Sequence, residues 1–209
     1  ARAAQLYTRA HEIWERTLGP DHSLTLMARY SLGLNLKDQH RLDEAIAVLD
    51  DVLARRSAAK DPQPAHIATT LDALAGCYAE RGDLCKALAL AQRALAIREK
   101  VLGPTTGDVA DSLATIAELQ GMLGDCTNAT TAARRAIEIL HGLPGGDALA
   151  GTPTLALAGC ARGGDAILLY RRAIELLAAT PDAAHDRGRA RLALATLLWP
   201  SDRAAAREL

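Results

Sequence analysis

Phenylalanine is absent from this 209-residue chain, and its only aromatic residues are two Trp and four Tyr. A core without large rings must be filled by the plentiful Ala and Leu, so any close packing has to come from helices that approach through small side chains. Lysine is scarce too: 4 of the 24 basic residues are Lys and 20 are Arg, a bias that points to a GC-rich coding sequence more than to a function. Excess charge is missing, with 24 basic against 25 acidic residues and a formal net charge of -1. That argues against a nucleic-acid partner, which a basic excess would signal. Every apolar stretch is broken by Arg, Asp or Glu before the roughly 20 residues that a membrane span needs, so no membrane insertion is expected.

Catalytic and metal-binding patterns are also missing. The six His residues are scattered, and none pairs with a Cys or carboxylate at a metal-site or catalytic spacing. His22 and His66 fall at expected helix starts, where a loop or capping role suits them. The glycines of GLPGGDALAG (142–151) lack Gly-Lys-Ser/Thr and follow a helix rather than a strand, which excludes a phosphate loop. No enzyme and no cofactor is expected. Four cysteines, Cys77, Cys85, Cys126 and Cys160, show no C-x-x-C spacing and read as buried or half-buried free thiols. That reading places the chain in a reducing, cytoplasmic compartment. Asn128-Ala129-Thr130 fits a glycosylation sequon by chance, since Ala129 is a packing position.

What the chain does have is a period. Ala87 has counterparts 42 residues away on both sides, Ala45 and Ala129, and one more step back reaches Ala3. Ala94 steps in the same way to Val52, Ala10 and Ala136. Repeats of this length identify stacked supersecondary units, each unable to bury its apolar face alone. The stretch LDALAGCYAERGDLCKALALAQRALAIREKVL (71–102) is the cleanest copy.

Apolar spacing and breakers divide the chain into eleven expected helices and no strand. The second helix of a first repeat spans 1–20, with Gly19-Pro20 as its stop. Repeats follow at about 23–60, 65–102, 108–141 and 152–179, and a partial one at 183–209. Ser23 is the expected cap of the second helix. The fourth repeat is shortened: Ala166 and Ala173 fall 37 residues after Ala129 and Ala136, and its turn is Arg162-Gly163-Gly164-Asp165. Thr180-Pro181-Asp182 opens the last unit. The half repeat at the start and the short final helix lead us to expect a piece of a longer protein, with neither end capped. Small residues mark where two helices of a pair touch: Gly33, Ala75, Ala117 and Ala158 on the first, Ala45, Ala87, Ala129 and Ala166 on the second. Two helices joined by a three-residue turn run antiparallel.

These residues resemble the tetratricopeptide repeat in its 42-residue, kinesin-light-chain form. Leu32-Gly33, Leu74-Ala75, Ile116-Ala117, Tyr78 and the Ala87/Ala94 and Ala129/Ala136 pairs carry the likeness, with ALAIREKVLGP (94–104) and RTLGPDH (16–22) most specific to it. The resemblance covers the whole chain. It implies an all-α, right-handed superhelical solenoid of antiparallel helix pairs, first helices lining a concave groove, and a role in protein interaction. The family's ligand-holding Asn is not kept: Tyr30-Ser31, Asp72-Ala73 and Ala114-Thr115 stand at its places. The Lys/Asn/Arg set with which some members grip a C-terminal carboxylate is missing as well.

The groove positions this implies for partner binding are Met27, Tyr30, Leu34, Lys37, Thr69, Asp72, Glu80, Asp111, Glu118 and Met122, with Asp38, Gly76 and Ala114 beside them. Five acids against one base predict a basic or apolar ligand. The column Arg9, Arg93, Arg135, Arg172 reads as a solvated outer face, with Glu138 and Glu175 four residues after Arg134 and Arg171. Two functions remain open at this point. One is a non-catalytic scaffold that binds a protein or peptide, or packs as a subunit of a larger complex. The other is a regulatory or sensory arm of a larger enzyme or transcriptional regulator.

Overall fold

A computed structural model describes residues 2–180 and 183–209. The side chains at 2–5 and 7, including the repeat position Ala3 and Tyr7, lie outside the described residues, as do Pro181 and Asp182 at the expected opening of the last unit. Among the described residues there are eleven α-helices and no strand. They are α1 (Arg2–Leu18), α2 (Ser23–Asp38), α3 (Leu42–Ala58), α4 (Pro64–Arg81), α5 (Leu84–Leu102), α6 (Gly107–Met122), α7 (Cys126–His141), α8 (Gly151–Cys160), α9 (Gly163–Ala178), α10 (Ala184–Leu198) and α11 (Arg203–Arg207). A single 3-10 turn, Gly146–Leu149, precedes α8. The chain divides into two compact units, Ala1–Val101 and Leu102–Leu209, within each of which successive helices pack against one another.

The turn within each pair shows why the chain reverses where it does. Positions 40, 82 and 124, one period apart, all adopt a left-handed backbone: His40 at φ 56°, Gly82 at φ 92° and Gly124 at φ 81°. At Gly82 this lets Asp83 N donate to Tyr78 O at 2.8 Å, the closing bond of a helix end that reverses direction. Only His40 bears a side chain there.

Small residues then bring the paired helices together. Ala45, Ala87 and Ala129 are completely buried, as are Ala94, Val52 and Ala136. Gly33, Ala75, Ala117, Ala158 and Ala166 are buried as well. In the first unit Leu49, Leu71 and Leu74 fill the core with no exposure, each contributing roughly 1.5–3 kcal/mol relative to an exposed leucine. In the second unit Val109, Leu140 and Leu194 do the same.

Four local expectations need correction. His22, not Ser23, caps α2: its Nδ1 accepts from Leu24 N at 3.3 Å, and Ser23 is already helical. The turn before α9 is shorter than expected, because Gly163 begins the helix. Glu175 pairs with Arg172 at 3.2 Å, not with Arg171. The four free thiols are really two, since Cys126 and Cys160 form a disulfide across 34 residues, with Cα atoms 5.2 Å apart. Cys126 opens α7 and Cys160 closes α8, so folding of successive pairs brings together residues that no local spacing relates. Cys77 stays free and buried, Cys85 free and exposed.

Candidate functional site

In the first unit the expected groove residues of α2 and α4 are occupied with one another and with α5. Lys37 Nζ lies 3.1 Å from Glu80 Oε1. Asp72 pairs with Arg98 of α5. Burial pushes the Asp72 carboxyl above its ordinary range, against the pull of Arg98. Tyr30 is half-buried under the Arg56 guanidinium, 5.1 Å from its ring centre, and burial raises its phenol. Arg56 in turn donates to Thr70 Oγ1 at 2.7 Å and to the His66 carbonyl at 2.9 Å. Thr69 is exposed and donates to its own helix at Ala65 O. Met27 stands exposed, and Leu34 is half-buried. The one base and two of the acids expected to face a ligand are therefore already spoken for within the unit.

The second unit holds a groove lined by its own helices. The groove, of about 240 Å³, runs along α6, α8 and α10, with Tyr170 of α9 behind it. Its floor is Ala117, Leu155, Ala156 and Ala193, and two glycines, Gly121 and Gly159, keep it clear. A methyl at Gly159 would sit 3.9 Å from the Tyr170 hydroxyl, and one at Gly121 would sit 3.8 Å from Cys160 Sγ. The disulfide thus backs the groove wall.

The rim of the groove is polar. Arg189 bonds to Glu118 and lies 3.6 Å from Asp186 Oδ1. Thr152 Oγ1 donates to Asp186 Oδ2 at 3.4 Å. Burial raises the Tyr170 phenol, with Arg189 pulling the other way. Met122 is 54% exposed at the mouth.

Of the residues expected from sequence, Glu118 and Met122 line this groove. Asp111 is exposed on the same helix but outside the lining, and Ala114 is buried rather than facing outward. Thr152, Tyr170, Asp186 and Arg189 were not foreseen, because the shortened fourth repeat breaks the 42-residue register that projected the earlier positions. Among the described residues no helix is long and apolar enough to cross a membrane.

The tetratricopeptide repeat profile matches residues 1–58 and 66–140, nearly two thirds of the chain. The chain belongs to the tetratricopeptide repeat family. No curated protein matches it in sequence. Among solved structures it is similar to BtubC (BKLC) from P. vanneervenii, at a TM-score of 0.74 and 16% identity over 99% of this chain and 86% of that one. It is also similar to the nearly identical TPR-like repeats of a Podosopora anserina protein assigned to the kinesin light chains, with TM-score 0.69 and 19% identity over 87% of this chain and 88% of that one. A third similar structure is YrrB, a TPR protein with an unusual peptide-binding site, at TM-score 0.52 and 17% identity over 98% of this chain and 89% of that one. At such identities the likeness is one of fold. Tetratricopeptide repeats serve as protein-interaction scaffolds, and the chain has that architecture.

Proposed function

We propose that this chain is a non-catalytic scaffold that holds an extended segment of a partner protein in the second-unit groove. The carrying observation is the groove itself: an apolar floor kept free by Gly121 and Gly159, beneath a rim of Glu118, Arg189, Asp186 and Thr152. Concave, mostly apolar sites with a few placed polar groups are where ligands bind. In the first unit Lys37 pairs with Glu80 and Asp72 with Arg98, and Tyr30 lies under Arg56. A near-neutral charge favours a protein partner over nucleic acid. The partner belongs to a larger assembly in this reading, and the setting is the cytoplasm. The half-buried Cys126–Cys160 bridge is then a bond that cellular dithiols can open.

Selection of displayed random peptides on the chain tests this. Enriched peptides should bind the chain and lose binding when Ala156→Leu fills the groove floor. Peptides indifferent to that substitution, or no enrichment, would count against the proposal.

A further inference from the structure

We infer that the second-unit groove is built for a lysine or arginine side chain of the held peptide, its methylenes on the apolar floor and its charged head at the Asp186 carboxylate, beside the Glu118–Arg189 pair. This rests on the peptide-holding reading and names what the peptide must present. Charge decides the matter. The rim sets two carboxylates against one guanidinium, Arg189. Arg189 is committed to Glu118 and lies 3.6 Å from Asp186 Oδ1, while Thr152 gives Asp186 Oδ2 a long 3.4 Å bond. Asp186 therefore keeps acceptor capacity, and at 25% and 31% side-chain exposure Asp186 and Glu118 are reachable from the groove.

Other occupants fit less well. An acidic side chain would meet two like charges across one guanidinium. A wholly apolar one would strip water from Glu118, Asp186 and the Tyr170 hydroxyl and replace none of their hydrogen bonds. A long basic side chain has an apolar stem and a charged tip, the same order as floor and rim. Tyr170 adds a second handle. Its hydroxyl has no hydrogen-bond partner among the described residues and is free to donate to a backbone carbonyl of the peptide.

The chain carries its own reporters. It has two methionines; Met122 stands at the groove mouth and Met27 in the first unit, both exposed. With 13C-methyl methionine in the full chain, acetyl-Ala-Ala-Arg-Ala-Ala-amide is titrated against the same peptide with norleucine or Glu at its centre. The Arg peptide should move the Met122 methyl and leave Met27 still, binding about tenfold more tightly than the norleucine peptide. Asp186→Asn should remove that preference, and added salt should weaken the Arg peptide alone. Norleucine binding as tightly as Arg, or the Glu peptide binding best, would overturn the basic-ligand assignment and leave a peptide-holding groove standing. If no peptide moves Met122 while the spectrum stays that of folded protein, both readings fall.

Discussion

Lys37 reaches Glu80 across the face of Gly76, with Nζ 3.1 Å from Oε1. A methyl group at Gly76 would meet Lys37 Cε and Nζ at 3.3 Å. Those atoms are the free end of a flexible side chain and can move aside. Gly33 is a different case. A methyl there would lie 2.7 and 2.8 Å from Cγ and Cδ2 of Leu49, which is completely buried.

The two glycines should respond in opposite directions to the same change. Gly76→Ala should stabilise the first unit by about 0.5–1 kcal/mol, because alanine restricts the unfolded chain and suits a helix. Gly33→Ala gains as much from propensity but forces Leu49 off its position, and should destabilise by a net 1–2 kcal/mol or so. Urea unfolding of both variants is the check; equal signs would mean that one of these contacts is wrong.

Ala87 is completely buried where α4 and α5 meet. Ala87→Leu should overpack this seam and cost roughly 1–3 kcal/mol, read as a lower melting temperature. An unchanged melting temperature would show that the pair can spread without cost.

Asp72 predicts an unusual pH dependence. Its carboxyl titrates above the ordinary 3.8 in the folded chain, raised by burial more than Arg98 lowers it. The folded state therefore binds this proton more tightly than the unfolded state does, and the contribution is fully present below 3.8 and lost as pH rises through the raised value. Compared with Asp72→Asn, the wild type should gain relative stability as the pH falls through that window. Paired denaturant titrations across it measure the difference, and a trend in the other direction would mean that the ion pair with Arg98 outweighs burial.

The cysteines make a chemical prediction. In the oxidised, folded chain one thiol, the exposed Cys85, should react quickly with a thiol reagent, and the buried Cys77 only after unfolding. Burial also raises the Cys77 thiol, which slows it further. Reducing the Cys126–Cys160 bridge opens a loop of 34 residues and should destabilise the second unit by roughly 2–4 kcal/mol. Thermal unfolding with and without a dithiol measures this, and four fast-reacting thiols in the untreated protein would contradict the bridge.

Much of the fold can be read from the period alone, because the same physical demand recurs every 42 residues. Ala45, Ala87 and Ala129 are all completely buried, as small residues at the contact of paired helices are expected to be. The left-handed turn at 40, 82 and 124 was harder to see, because His40 hides a position that Gly82 and Gly124 make obvious. The groove was legible only as far as Met122. Beyond it the shortened repeat shifts the register, so Thr152, Asp186 and Arg189 have no counterparts to project from. The bridge was not legible at all. Cys160 shares its LAGC tetrapeptide with Cys77, yet only Cys160 finds a partner, because only its neighbouring pair begins with a cysteine at the facing helix start.

That bridge also changes what the chain does under tension. Pulled from its ends, an unfolded chain lengthens by about 3.3–3.6 Å per residue. The 34-residue segment closed by Cys126 and Cys160 is bypassed by a link whose Cα atoms are 5.2 Å apart. Roughly 110–120 Å of extension is thereby withheld. Load applied along the oxidised chain passes directly from the start of α7 to the end of α8, sparing both helices and, with α8, the Leu155–Ala156 part of the groove floor.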